Sequence, residues 1–187
     1  MTYFEELTNT RRKSENMAAG ISSMILQIRK QNIKDSLCDM DSIVHRQQYI
    51  ANIEGVMYYD DSKAESVNAT WFTFENIIDP VVWIAGGKAK DTDFSDLIPM
   101  AKKNVKTLIC IGKDNSNLMK TFGESINEIF EANSIDEAVN MASIIAQEDD
   151  IVLFSPACKS DKAKEDYATR GNQFAESVKR IQNEHYQ

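Results

Sequence analysis

Cysteine and proline are scarce in this 187-residue chain, with three of each. Cys38, Cys110 and Cys158 stand far apart, and no CxxC pair exists. Reduced thiols in a cytosolic protein are therefore expected, not a disulfide framework. The two histidines, His45 and His185, form no ligand spacing, so no metal site is expected. No apolar run approaches the ~20 residues needed to span a bilayer. Residues 1–14 lack the apolar core of a secretory signal. Cytoplasmic location without membrane insertion is the expectation. Basic charge is also short: 21 Lys and Arg face 29 Asp and Glu, for a formal charge of −8. That opposes a nucleic-acid surface, which needs a dense basic face, and the cluster Arg11-Arg12-Lys13 is too short to reverse it. Neither GxxxxGK[ST] nor GxGxxG occurs, so the common phosphate-binding loops are absent as motifs.

What is present reads as an ordinary globular chain, 42% hydrophobic and 27% charged. Met17, Ile21, Met24, Ile25 and Ile28 recur at helical spacing after a capping Ser14, and a short second helix is expected near residues 33–40. A boundary falls near residues 40–46. Beyond it, residues 49–53 and 56–59 are β-prone runs joined by Glu54-Gly55, as in a hairpin. A helix is expected over 68–77, ended by Asp79-Pro80. Apolar runs at 81–85, 105–111, 126–130 and 151–154 then alternate with helical patterns at 94–102 and 116–122. Two further helices carry the stripes Ile135, Ala138, Val139, Ala142, Ile145 and Phe174, Val178, Ile181. Such alternation predicts an α/β fold with a mostly parallel sheet.

Ligands of such sheets bind beyond the strand C-termini. Three loops fall there: 60–65, 86–93 and 155–161. Gly86-Gly87 with Lys88 and Lys90 suits an anion approaching the backbone. Taken alone, that loop leaves a plain glycine turn with solvated lysines equally open. In the third loop Ser155 and Ser160 offer hydroxyls but no base stands near in sequence, and Cys158 reads as a structural thiol. Tyr167 and Arg170 read as staples of the last helix.

In order along the chain come His45-Arg46, Asp61-Ser62-Lys63-Ala64 and Asn68-Ala69-Thr70-Trp71. Trp83-Ile84-Ala85-Gly86-Gly87 with Lys90, Gly112-Lys113-Asp114-Asn115 and Ser155-Pro156-Ala157-Cys158 follow, then Tyr167, Arg170-Gly171 and Phe174. This series resembles the C-terminal domain of the Mur ligases, the D-glutamate-adding members most of all. The resemblance covers residues 16–181. It implies a Rossmann-like domain over residues 42–187 with a β-hairpin at its start. Residues 1–41 would be a helical segment corresponding to the end of the family's central ATPase domain. The family's activity is ATP-dependent acid–D-amino-acid ligation in peptidoglycan precursor synthesis, with ATP and Mg as cofactors. The chain resembles such a ligase without its first two domains, so no cofactor is assigned to it alone and it is expected to be inactive alone.

By the same resemblance, Arg46 would reach nucleotide phosphate and Asp61 the ribose. Lys63 would order the corner beside the amino-acid site, Lys90 and Ser160 would hold carboxylates of an incoming glutamate, and Tyr167 would line that pocket. Three residues depart from the family pattern. Asp60 stands where an asparagine is usual. Glu65 replaces a threonine that would bind the substrate carboxylate, and is expected to repel it. Asp161 adds a further acid. The expected partners are a nucleotide or an acidic amino acid, and a chain supplying the ATPase part. The alternative is a non-catalytic interaction module on the retained fold, self-associating through the helix at residues 16–30.

Overall fold

The computed structural model describes residues 44–161 and 165–185. The expected helices near 16–30 and 33–40, and with them the expected segment 1–41, lie outside the described residues. The described chain opens with strands β1 (Gln48–Ile53) and β2 (Val56–Asp60), paired antiparallel. Glu54 and Gly55 both have positive φ, 50° and 83°, as a two-residue hairpin turn demands. The Gly55 N–H donates to the Asn52 side chain at 3.0 Å and fastens the turn.

Helix α1 (Val67–Glu75) starts at Ser66, whose hydroxyl accepts from the Ala69 N–H. Next come β3 (Val81–Gly86), α2 (Ile98–Asn104), β4 (Val105–Ile111), α3 (Ser116–Phe122) and β5 (Glu128–Ala132). Helix α4 (Ile135–Ile145), β6 (Ile151–Phe154) and α5 (Tyr167–His185) complete the body. The six strands form one sheet in the order β1-β2-β6-β3-β4-β5, parallel except for β1. The expected α/β architecture with a leading hairpin is therefore the observed one.

Two elements differ from expectation for identifiable reasons. The helix expected over 94–102 is a single 3₁₀ turn at Ser95–Leu97 followed by α2. Proline tolerates only the first turn of a helix, so Pro99 restarts the helix instead of continuing it. The strand expected over 126–130 begins at Glu128. Ile126 follows the turn after α3, its N–H donates to the Phe122 carbonyl at 2.9 Å, and its side chain is buried in the core with Leu118 and Phe122 of that helix.

Alternation along the central strands builds a core on each face of the sheet. Val82, Ile84, Ile109, Val152 and Phe154 meet α4 and α5 through Val139, Phe174 and Val178. On the other face Val81, Trp83, Leu108 and Leu153 meet α1, α2 and α3 through Phe74, Ala101 and Phe122. Trp83 is fully buried, edge-on to Phe74 (5.1 Å) and Phe122 (5.3 Å), and its indole N–H donates to the Ser155 carbonyl at 2.7 Å. That bond anchors the start of the loop after β6. The parallel strands β2, β6, β3 and β4 all end at one edge.

Candidate functional site

Four loops and the start of α5 meet at that edge. The loops after β3 and β6 are laced by backbone bonds, Gly86 N–H to Pro156 O at 3.0 Å and Lys88 N–H to Lys159 O at 2.7 Å. The loops after β2 and β6 are joined by Ala157 N–H to Ala64 O at 3.0 Å. Ala157 takes a positive φ of 61°, an uncommon conformation for a residue with a side chain, and is fully buried there.

The corner after β2 is closed. Asp61 is fully buried; its Oδ2 accepts the hydroxyls of Thr73 (2.6 Å) and Ser155 (2.9 Å), and Arg46 lies 3.6 Å from Oδ1. Burial pushes the Asp61 carboxyl up to about 6, against the opposing pull of Arg46 and the two hydroxyls. Arg46 is itself nearly buried, and its Nε has no hydrogen-bond partner among the described residues. Ser155 donates its proton to Asp61 and also contacts Thr70 at 2.9 Å, so its hydroxyl is structural. Next to Asp61, the acid at position 60 is matched by a histidine: His45 Nδ1 lies 2.6 Å from Asp60 Oδ2, and the Ser62 N–H donates to Asp60 Oδ1 at 2.8 Å.

Helix α5 seals this corner with a glycine. A methyl group at Gly171 would collide with His45 Nδ1, Ser62 Oγ and Asp60 Oδ2, so only a bare backbone lets the helix dock there. Asp166 precedes the helix and accepts from the N–H (2.8 Å) and hydroxyl (2.7 Å) of Thr169. These bonds hold the Asp166 carboxyl below its ordinary value. They also set the pitch at which Tyr167 and Arg170 emerge.

Lys63 is exposed, with its ammonium 5.5 Å from the centre of the Tyr167 ring, and the same ring meets His45 edge-on at 6.1 Å. Lys90 is exposed on the loop after β3, with its charge felt at Asp114. Ser160 donates to Glu165 at 2.6 Å, and Asp161 accepts from the Lys113 N–H at 3.0 Å. The structure thus groups Arg46 with Asp61 and Lys63 with Tyr167. Ser160 and Asp161 stand at a separate cavity.

That cavity, of about 390 Å³, opens beyond β3 and β4. Its lining includes Gly86, Gly87, Gly112, Lys113, Ser160, Asp161, Arg170 and the N-terminus of α4 at Ser134. Ser134 caps α4 by accepting from the Glu137 N–H at 3.1 Å. Arg170, only 2% exposed, forms part of the wall. Its Nη2 donates to Glu65 Oε1 at 2.9 Å and to the Cys158 carbonyl at 3.3 Å, and Nη1 reaches the Gly86 carbonyl at 3.4 Å. Glu65 is therefore not a loose repelling charge, because a buried guanidinium holds it. Burial pushes the Cys158 thiol up to about 12, as suits an inert structural cysteine.

Arg170 is the site residue that sequence reasoning undervalued. The signal was present: Arg170 lies four residues before Phe174 and eight before Val178, on the apolar stripe of the last helix. An arginine on such a stripe is buried with partners or is misplaced. His45 as partner to Asp60 carried no comparable signal, since the two meet only through tertiary structure.

Residues 45–158 match the family described as Mur ligase, glutamate ligase domain. The UDP-N-acetylmuramoylalanine--D-glutamate ligase of Christiangramia forsetii is 40% identical over 165 residues, covering 88% of this chain and 37% of the relative. The enzyme of the same name from Porphyromonas gingivalis is 37% identical over 172 residues, covering 92% and 38%. The chain thus spans little more than a third of the length of these relatives. Among solved structures, E. coli FolC in complex with ADP aligns with a TM-score of 0.51 at 17% identity, over 78% of this chain and 33% of that one. MurF ligase from Thermotoga maritima in complex with ADP aligns with a TM-score of 0.50 at 13% identity, over 75% and 32%. These two show a shared fold alone. With the ordered motifs, the sheet and the family match in agreement, the chain belongs to the Mur ligase family, as its C-terminal, glutamate ligase domain.

Proposed function

We propose that this chain presents the amino acid, and contacts the nucleotide, in an ATP-dependent amide ligase that adds D-glutamate to a UDP-linked muramoyl precursor of peptidoglycan. In this reading it works together with an ATPase part of the family's kind, and residues 1–41 correspond to the end of that part. The observation that carries the reading is the 40% identity over 165 residues with a D-glutamate ligase.

The residues at the sheet edge fit the roles. Arg46 and Asp61 form the pair that the family places beside the nucleotide, and here Asp61, fully buried and held by Thr73 and Ser155, keeps the Arg46 guanidinium in place. Lys90 is an exposed donor for a carboxylate, Lys63 lies over the Tyr167 ring, and Ser160, whose hydroxyl donates to Glu165, stands at the separate cavity. When bound, ATP supplies the phosphoryl group that activates the acid. The domain's part is to orient the amine. Among the described residues there is no group of three or more His, Cys, Asp or Glu that could hold a metal ion. None of the described helices is long and apolar enough to cross a membrane.

Calorimetric titration with D-glutamate and with ADP tests the proposal. Binding of D-glutamate that is lost in Lys90→Ala, at an exposed position where folding is undisturbed, supports it. Silence with both ligands favours the second reading, a non-catalytic interaction module. That reading draws support from the pairs Asp60–His45 and Glu65–Arg170, in which two of the three departing acids are matched internally. The isolated chain is expected to release no phosphate from ATP. Release that disappears in Lys90→Ala would overturn its dependence on an ATPase part.

A further inference from the structure

The two outer strands of the sheet are guarded differently. β1 has a bulge between Tyr49 and Ala51, which breaks the regular run of main-chain groups along its outer side. Among the described residues β5 pairs only with β4, and its register runs unbroken from Thr107↔Glu128 to Ile111↔Ala132. Its outer side therefore offers a regular row of N–H and C=O groups. Charged side chains commonly protect such an edge, but both acids of β5 are drawn back toward the sheet. Glu128 accepts from the Thr107 hydroxyl at 2.8 Å, and Glu131 from the Asn115 side-chain amide at 3.0 Å. The outermost groups that remain are apolar. Phe130 is 39% exposed and Ile144, on the neighbouring α4, is 85% exposed. An open groove of about 510 Å³ is lined by Phe130 and Ile145 on that side of the strand.

The charges along β5 select the strand that fits beside it. Two copies related by a two-fold axis perpendicular to the sheet pair antiparallel at this edge, and the axis must pass through one residue of β5. Phe130 is the middle residue of Glu128–Ala132, so an axis there pairs the whole strand. Phe130 then meets Phe130 of the second copy, Glu128 meets Ala132, and Ile129 meets Glu131. No acid faces an acid, and an aromatic pair sits at the centre. An axis at Glu131 would set two carboxylates against each other, and one at Ile129 would leave Glu131 and Ala132 beyond the partner strand. We infer that β5 is a self-association edge, at which two copies of this chain join β5 to β5 about an axis at Phe130 and form one continuous sheet. The bulge in β1 blocks the same extension at the other edge, so the assembly closes as a dimer and does not grow into a fibre. The inference does not rest on the function proposed above. Five-residue strands bury a small interface, so the dimer forms in the micromolar to millimolar range.

Sedimentation equilibrium of the full chain, from micromolar to millimolar concentration, is the test. The proteins are the wild type, Phe130→Lys, Phe130→Glu and Ile78→Lys, each checked for folding by thermal melting. The wild type and Ile78→Lys, which is altered at a 90%-exposed position off this strand, are expected to move from monomer toward dimer mass. Phe130→Lys and Phe130→Glu each stay monomeric alone, because like charges meet at the axis, and they dimerise when mixed. Rescue on mixing requires position 130 to face itself, which a general apolar contact does not. Amide hydrogen exchange of the wild type needs no substitution and carries the measurement if the position-130 variants melt early. Exchange within residues 128–132 is expected to slow severalfold at the concentrated end. A wild type that stays monomeric throughout overturns the inference, as does a mixture of folded variants that stays monomeric. Association that persists in Phe130→Lys, or that leaves exchange at residues 128–132 unchanged, also overturns it, since a different surface then joins the copies.

Discussion

In the corner after β2, Asp61 is sealed beneath Arg46 and accepts two hydroxyl protons; across the same sheet edge, Arg170 faces an open cavity with one N–H unmatched. The motif matches are densest in the first region, where Asp61-Ser62-Lys63-Ala64 meets Ser155 and Gly171, and there the packing leaves little room. The room is in the second region, beside Gly86, Gly112 and α4. A run of motif residues therefore marks two different things. In the corner it marks a polar joint that locks three loops and a helix together. At the cavity it marks the surface that a ligand could touch.

Substitutions separate the two regions. The largest effect is expected from Gly171→Val, which forces a branched side chain onto His45, Ser62 and Asp60. Overpacking of this kind, against three polar side chains buried in the corner, costs about 3 kcal/mol. Urea unfolding will show a lowered midpoint, and an unchanged midpoint would mean that α5 does not dock as described.

Next in size is a pH effect confined to the corner. The folded-state value of Asp61, about 6, lies above its ordinary 3.8. The folded protein therefore binds this proton more tightly than the unfolded chain does. Its contribution to stability is fully present below about pH 4 and is lost as pH rises through 6, by at most about 3 kcal/mol. Exposed acids held low by local hydrogen bonds, such as Asp93, Asp114 and Asp166, act in the opposite sense, losing stability as pH falls. The difference between wild type and Asp61→Asn isolates the Asp61 component. The wild type is expected to fall relative to the variant between pH 4 and pH 6 in paired unfolding curves. Parallel curves would refute the burial argument.

The smallest effect belongs to the cavity. Ser134→Ala removes the cap of α4 and costs about 1 kcal/mol, with the pH response of the corner unaltered. A cap loss that also shifted the Asp61 response would show the two regions to be coupled.

The sheet was legible because its central strands are buried on both faces and so read as unbroken apolar runs. The edge strand β5 was the exception. Glu128, Phe130 and Glu131 are exposed, which leaves too weak a pattern to place its ends. The loops of the site were legible in position, through the rule that strand C-termini line one edge. Their charge state was not. Read in isolation, Glu65 is an acid where a hydroxyl is wanted, because its partner lies 105 residues away. Asp60 poses the same difficulty with His45. Periodicity reports which way a side chain faces, but ion pairs between distant loops follow from topology, and no local pattern records them.

The sheet order has a consequence for how the site comes into being. Strand β6, the last of the six in the chain, lies between β2 and β3. During synthesis β3, β4 and β5 can pair as they emerge, but β2 has only its hairpin partner until residues 151–154 arrive. The Ser155–Asp61 bond joins groups 94 residues apart. Contacts of such long sequence separation form slowly, because the entropy of closing the loop must be overcome first. The corner that most clearly identifies this domain is thus among the last parts of it to assemble. A ribosome-bound chain stalled before Ile151 would hold two partial sheets with an unpaired parallel edge on each.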